Sequence, residues 1–142
     1  MSQPNYDLER FIDAQRTDYA IALAEIKRGR KQSHWMWYIL PQVQGLGLTS
    51  TSKHYAIKNI DEASAYLKHK ILGKRLIEIS NALLEIKTND AHAVFGTPDD
   101  MKLRSSMTLF AEVQNADKVF QKVLDKFFNG RKDEKTLQLL KS

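Results

Sequence analysis

An all-α fold is what this sequence predicts: a compact helical bundle of about six to seven helices in one domain spanning residues 1–142. Two observations carry that expectation. Apolar residues recur at steps of three and four through most of the chain. Residues that cap helices stand where those stripes begin, and glycine or asparagine stands where they end.

The first stripe is Leu8, Phe11, Ile12, Tyr19, Ala22, Leu23 and Ile26, with Asn5 able to cap its start and Gly29 able to end it. Residues 34–40 form an apolar run stopped by Pro41. Its length and aromatic content allow either a short extended segment or a buried helical turn. Residues 42–52 are rich in Gly, Ser and Thr and read as a loop, followed by a short helix near Ser52. Asp61 caps the next expected helix, which carries Ala63, Tyr66 and Leu67. Leu72, Leu76, Ile79, Leu83 and Ile86 mark a longer one, ended by Thr88-Asn89-Asp90. Thr97-Pro98-Asp99-Asp100 offers a capping hydroxyl, a proline at the first helical position and acids in the first turn. Leu103, Met107 and Phe110 give that helix its inner face. Val119, Phe120, Val123, Leu124, Phe127 and Phe128 define another, closed by Asn129-Gly130, and Asp133 begins a last short helix with Leu137 and Leu140.

Composition narrows the function classes. Hydrophobic content of 42% and charged content of 27% are those of an ordinary globular protein. With no cysteine there is neither a disulfide framework nor a thiolate nucleophile, which suits a cytoplasmic location. No apolar run approaches the ~20 residues of a membrane span. Met1 to Asp7 lacks the basic-then-apolar pattern of a signal peptide. The net charge of +5 is scattered over Lys27-Arg28 with Arg30-Lys31, Lys68-His69-Lys70 with Lys74-Arg75, and Lys102 with Arg104. An anionic partner is mildly favoured.

Metal and cofactor chemistry find little purchase. No two of His34, His54, His69 and His92 are three or four apart, so no metal and no cofactor are expected. None of Ser33, Ser50, Ser52, Ser105 and Ser106 sits in a Gly-x-Ser-x-Gly elbow. Gly45-x-Gly47 followed by Thr49-Ser50-Thr51-Ser52 falls short of both the dinucleotide fingerprint and the P-loop. Glycines and hydroxyls ahead of a helix start are nevertheless anion-binding material, with a plain loop and a Ser50 or Ser52 cap as the alternative.

The region from Arg30 to Tyr55 holds both tryptophans, two of the four histidines and a run of hydroxyls. Aromatic and polar groups together suggest a concave site. Trp35 and Trp37 are either core or a stacking wall. Gln15 lies on the apolar stripe of the first helix, so it either bonds internally or meets a ligand; unpartnered it would cost ~1–3 kcal/mol. Ser106 faces inward beside Leu103, Met107 and Phe110, while Lys102 and Ser105 lie one row over, at a rim. That face is either a pocket wall or a packing surface whose hydroxyls bond back to their own helix.

Several of these residues carry a family resemblance. Lys31-x-x-His34-Trp35-Met36-Trp37, Pro41-Gln42, Gly45-Leu46-Gly47, Ser50 and Ser52 with Tyr55-Ala56-Ile57, and Phe95-Gly96-x-Pro98-Asp99-x-x-Lys102-Leu103-x-Ser105-Ser106-Met107-Thr108-Leu109-Phe110 resemble an uncharacterised bacterial family, domain of unknown function 1810, often labelled calpastatin-like. The resemblance runs from Phe11 to Leu140 and implies a small, mainly helical cytoplasmic domain without an established activity. The calpastatin label finds no support, because such inhibitors are disordered and repetitive. Lys70 departs from the family pattern, which has proline after the histidine matching His69. Ser52-Lys53-His54-Tyr55, with the stretch from Val119 to Leu140, is more distantly similar to ADP-ribose-linked N-glycosidases, also small and helical.

The leading expectation is one pocket for a small anionic or ring-bearing ligand, of nucleotide or ADP-ribose type, with hydrolysis as an option. Trp35 and Trp37 would form its wall, and Gln15 and Gln42 would bond ring edges. Ser50 and Ser52 would hold phosphate-like oxygens, and Lys102 with Arg30 or Lys31 would balance charge. Tyr55, Ser105 and Ser106 complete the expected lining. His34 is the proton carrier, since an imidazole titrates nearest neutrality. A nucleic-acid-binding module and a protein-interaction or structural module without a catalytic site are the two alternatives.

Overall fold

The computed structural model describes residues 6–141, and within them the chain is helical with no strand. In order come α1 (Glu9–Lys27), α2 (Met36–Ile39), α3 (Ser50–Tyr55), α4 (Ile60–Lys68), α5 (Leu72–Glu85), α6 (Ala91–Phe95), α7 (Asp99–Ala111), α8 (Val119–Phe128) and α9 (Glu134–Leu140). Six of these nine have seven or more residues, in line with the six to seven expected; α2, α3 and α6 are short turns of helix.

Helix α7 runs through the middle, packed by α8, α4, α6, α9 and α2. Every residue from Ser105 to Phe110 is buried. Over that stretch the helix has no wet face, and α7 places small hydroxyls there among its apolar residues. Ser105 Oγ donates to the Met101 carbonyl (3.2 Å) and Thr108 Oγ1 to that of Arg104 (2.8 Å). Thr108 Oγ1 also accepts from the Asp133 amide (2.9 Å), which ties the start of α9 to α7.

The other long helices are amphipathic and close the core around α7. Leu72, Leu76, Ile79 and Leu83 of α5 are buried, as are Phe120, Val123 and Leu124 of α8. The two helices are also joined by Lys126, whose ammonium donates to the carbonyls of Leu83 (3.1 Å), Leu84 (2.9 Å) and Ile86. That one side chain satisfies carbonyls left over where α5 ends, at a position where a cation is favoured. Helix α8 ends as its sequence demands, with Asn129 and Gly130 at φ of 55° and 76°.

Several boundaries differ from the sequence expectation. Asn5, the expected cap of α1, lies outside the described residues; Leu8 takes the cap position and makes no side-chain cap bond. Residues 36–39 settle as a helical turn rather than an extended segment. Asn59, not Asp61, caps α4, accepting from the Glu62 amide at 2.9 Å. Asp90 starts α6 instead of ending α5, because its carboxylate accepts from the amides of His92 and Ala93. Pro98 is the cap position of α7, and the Thr97 hydroxyl pairs with His92 Nδ1 (3.0 Å) rather than capping.

Candidate functional site

Two irregular stretches flank α2, and they are built differently. The first, residues 28–35, is gathered around Glu25, a residue of α1 that is 2% exposed. Its Oε1 accepts from the amides of Gln32 (2.9 Å) and Ser33 (3.0 Å) and from Trp35 Nε1 (2.9 Å), and its Oε2 accepts from Ser33 Oγ (2.5 Å). Burial raises the pKa of this carboxyl, but those four donors outweigh it and hold the group down at about 2. Trp35 is thereby fixed in the core, edge-on to Phe95.

The second stretch, residues 42–49, borders a hollow of about 370 Å³, within the ~300–1,000 Å³ range of small-ligand pockets. Trp37, Val43, Leu46 and Tyr55 supply its apolar walls, and Gln42 and Ser52 its polar ones. Two glycines shape it. Gly45 adopts φ of +108°, and a side chain at Gly47 would start 2.4 Å from Ser52. The loop therefore lies against the first turn of α3. Main-chain bonds from Gln44 N to Ile57 O (2.7 Å) and from Ile57 N to Gln42 O (2.9 Å) hold its near end.

Gln42 is the anomaly of this wall. It is 6% exposed, and its Nε2 has no hydrogen-bond partner among the described residues. Leaving such a donor unmade costs about 1–3 kcal/mol. Among the described residues Ser106 Oγ is the other buried side-chain polar atom without a partner, but Ser106 does not line this hollow.

Trp37 also borders a second hollow, of about 480 Å³, with Lys31, His34, Thr51, Asp99 and Lys102. Here Asp99 takes two cations on separate oxygens: Oδ2 to Lys31 Nζ (2.8 Å) and Oδ1 to Lys102 Nζ (3.1 Å). Burial pulls the Asp99 carboxyl up, and the two ammonium groups more than reverse that, leaving it below its ordinary value. Each lysine nitrogen also lies over an indole, Lys31 at 4.9 Å from the Trp35 ring and Lys102 at 4.2 Å from the Trp37 ring.

The predicted residues divide accordingly. Trp37, Gln42, Ser52 and Tyr55 meet at the first hollow, and Lys31, His34, Trp35, Trp37 and Lys102 at the second. Gln15 is in neither: its Nε2 donates to the Tyr38 carbonyl (2.8 Å) and the Tyr66 hydroxyl (2.9 Å). Ser50, Ser105 and Ser106 line neither hollow. The cap of α3 is Thr49, not Ser50 or Ser52, and the Ser52 hydroxyl is engaged with Thr49 through Thr49 Oγ1 (3.0 Å) and the Thr49 carbonyl (2.8 Å). Sequence reasoning passed over Asp99 as a first-turn acid; its spacing of three from Lys102 was the available signal. It also passed over Glu25, a carboxylate between two apolar residues of the α1 stripe. Among the described residues no group of three or more His, Cys, Asp or Glu is placed to hold a metal ion. No helix among them is long and apolar enough to cross a membrane.

Comparison with known proteins adds a relative of the whole fold. A crystal structure of the conserved hypothetical protein Rv1873 from Mycobacterium tuberculosis is 41% identical, covers 96% of this chain and 98% of its own, and superposes with a TM-score of 0.94. No curated protein matches. The family described as protein of unknown function (DUF1810) matches residues 5–140, and the chain belongs to that family.

Proposed function

We propose that this protein binds a small ring-bearing ligand of nucleotide type in the first hollow. Gln42 carries the reading. A buried amide with an unmade donor on the wall of an apolar cleft is a standing cost, and an incoming acceptor would remove it. The terminal torsion of a glutamine is soft, so a small turn would bring Nε2 to an occupant. Nucleobases suit the rest of the wall: they carry ring and carbonyl acceptors, and their faces stack on indole and phenol rings such as Trp37 and Tyr55.

The nucleic-acid alternative draws less support, because several cations are already engaged inside the molecule. Arg10 pairs with Glu62, Arg104 donates to the carbonyls of Arg131 and Lys132, and Lys126 serves the end of α5. A hydrolytic reading would rest on His34 beside the second hollow, and loss of nucleotide turnover in His34→Ala would carry it.

Thermal unfolding in the presence of adenosine, guanosine, cytidine and uridine, each with its 5′-monophosphate, tests the binding reading. A ligand at a hundred times its Kd adds about 2.7 kcal/mol, a rise of several degrees in Tm. The rise should disappear in Trp37→Ala. Flat melting temperatures across the panel at millimolar ligand would discard the reading.

A further inference from the structure

We infer that the second hollow is a phosphate subsite for the ligand of the first, in which Lys102 turns to the phosphate and Asp99 holds Lys102 until it arrives. The inference rests on the ring-ligand reading above. Trp37 borders both hollows, so one bound molecule can lay its ring on one side and extend its anionic end to the other.

Charge is the first argument. Lys31 and Lys102 share the single carboxylate of Asp99, which leaves one positive charge unbalanced in a sheltered place; the three side chains are 5%, 22% and 19% exposed. A charge kept away from water needs a counter-charge, and an anionic ligand supplies it.

Asymmetry is the second. Lys31 is the more buried lysine and is held twice, by Asp99 and by the Ser33 carbonyl. Lys102 has one ion pair, the longer of the two, and the greater exposure. Because the two lysines use different Asp99 oxygens, Lys102 can leave without releasing Lys31. The Trp37 ring beneath its nitrogen keeps Lys102 near the hollow, so little order has to be imposed on binding. Thr51, on the same wall, carries a hydroxyl that can donate to a phosphate oxygen. The phosphate role expected of Ser52 thus passes to Lys102, since the Ser52 hydroxyl is spent on Thr49.

Calorimetric titration of wild type, Lys102→Met, Lys102→Arg and Asp99→Asn with a nucleoside and its 5′-monophosphate provides the test, with circular dichroism to establish that each variant folds. The readout is the ratio of the two affinities. Wild type should prefer the monophosphate by roughly tenfold or more, the worth of one charge-assisted contact. The ratio should fall towards one in Lys102→Met and be largely kept in Lys102→Arg. It should rise above wild type in Asp99→Asn, where Lys102 has no competing carboxylate. A wild-type ratio near one, or a ratio indifferent to Lys102→Met, would overturn the subsite and leave the ring reading intact. If no nucleoside binds, the ring reading falls by itself. Inorganic phosphate followed by phosphorus NMR then decides the subsite: broadening that Lys102→Met abolishes sustains it, and a sharp wild-type signal rejects it.

Discussion

Trp35 and Trp37 are two residues apart and have opposite surroundings. Trp35 is 1% exposed, its indole N–H is bonded to Glu25, and that carboxylate is itself filled by backbone and hydroxyl donors. Trp37 is half-buried between two hollows, beside an amide with an unmade donor and under a lysine that shares its carboxylate. A polar group that is buried and fully paired stabilises one conformation. A polar group that is buried and unpaired weakens the fold for as long as nothing binds there. The first arrangement belongs to architecture; the second is the one on which the proposed binding rests.

Breaking the saturated side should give the largest effect. Glu25→Ala leaves Trp35 Nε1 and two backbone amides without their acceptor, at about 1–3 kcal/mol each when they stay dry. A loss of about 3 kcal/mol or more is expected, a drop in Tm of roughly 10 °C, measurable by thermal or urea unfolding. A loss below about 1 kcal/mol would mean that the residue 28–35 segment is held by packing alone.

Acid should reach the same group. The folded Glu25 carboxyl sits at about 2 against an ordinary 4.5, so its contribution is fully present above pH 4.5. As pH falls below 4.5 the unfolded chain takes up a proton that the folded chain refuses, and the contribution drains away towards pH 2. On the order of 3 kcal/mol is at stake. Urea unfolding at pH 5, 4 and 3 should show Glu25→Gln with a shallower decline than wild type; parallel declines would remove Glu25 as the source.

On the open side, Gly47→Ala sharpens the contrast. The added methyl would start 2.4 Å from both Cβ and Oγ of Ser52, so either the loop or the first turn of α3 must move. Overpacking of this kind costs about 1–3 kcal/mol. The shift also displaces the wall of the first hollow, so any nucleoside affinity should fall with stability. Full stability and full binding together would mean that the loop gives way without cost.

The sequence made some of this legible and hid the rest for physical reasons. The α5 and α8 stripes and the Asn129-Gly130 ending were readable because they depend on residues within a turn or two of one another. Asp133 as a cap was readable for the same reason, and its carboxylate does accept from the Thr136 amide at 3.0 Å. Asp90 misled because an aspartate is as much at home after a helix as before one, and α6 is too short to show a period. Composition sets the Arg30–Tyr55 region apart, but it does not say which tryptophan is core and which borders a hollow. That choice is made by Glu25, ten residues before Trp35 and on another helix. Gln15 and Gln42 were likewise indistinguishable, since partners 23 and 51 residues away take up the Gln15 amide N–H groups, whereas among the described residues none takes up Gln42 Nε2.

The smallest expected effect is the most diagnostic, because its sign is the reverse of the usual one. Gln42→Leu replaces a buried amide having an unmade donor with an apolar side chain of similar size, against Val43, Leu46 and Trp37. Most buried substitutions destabilise. Here the desolvated donor disappears and apolar contact is gained, so stability should rise by about 1 kcal/mol, read as a higher urea midpoint at unchanged slope. Nucleoside binding should vanish in the same variant, because the donor proposed to meet the ring has gone. Gain of stability with loss of ligand is the mark of a residue kept for recognition at the expense of the fold. Loss of stability would place Gln42 with Glu25, as a structural group whose partner is water, and the two sides of α2 would then differ in solvation alone.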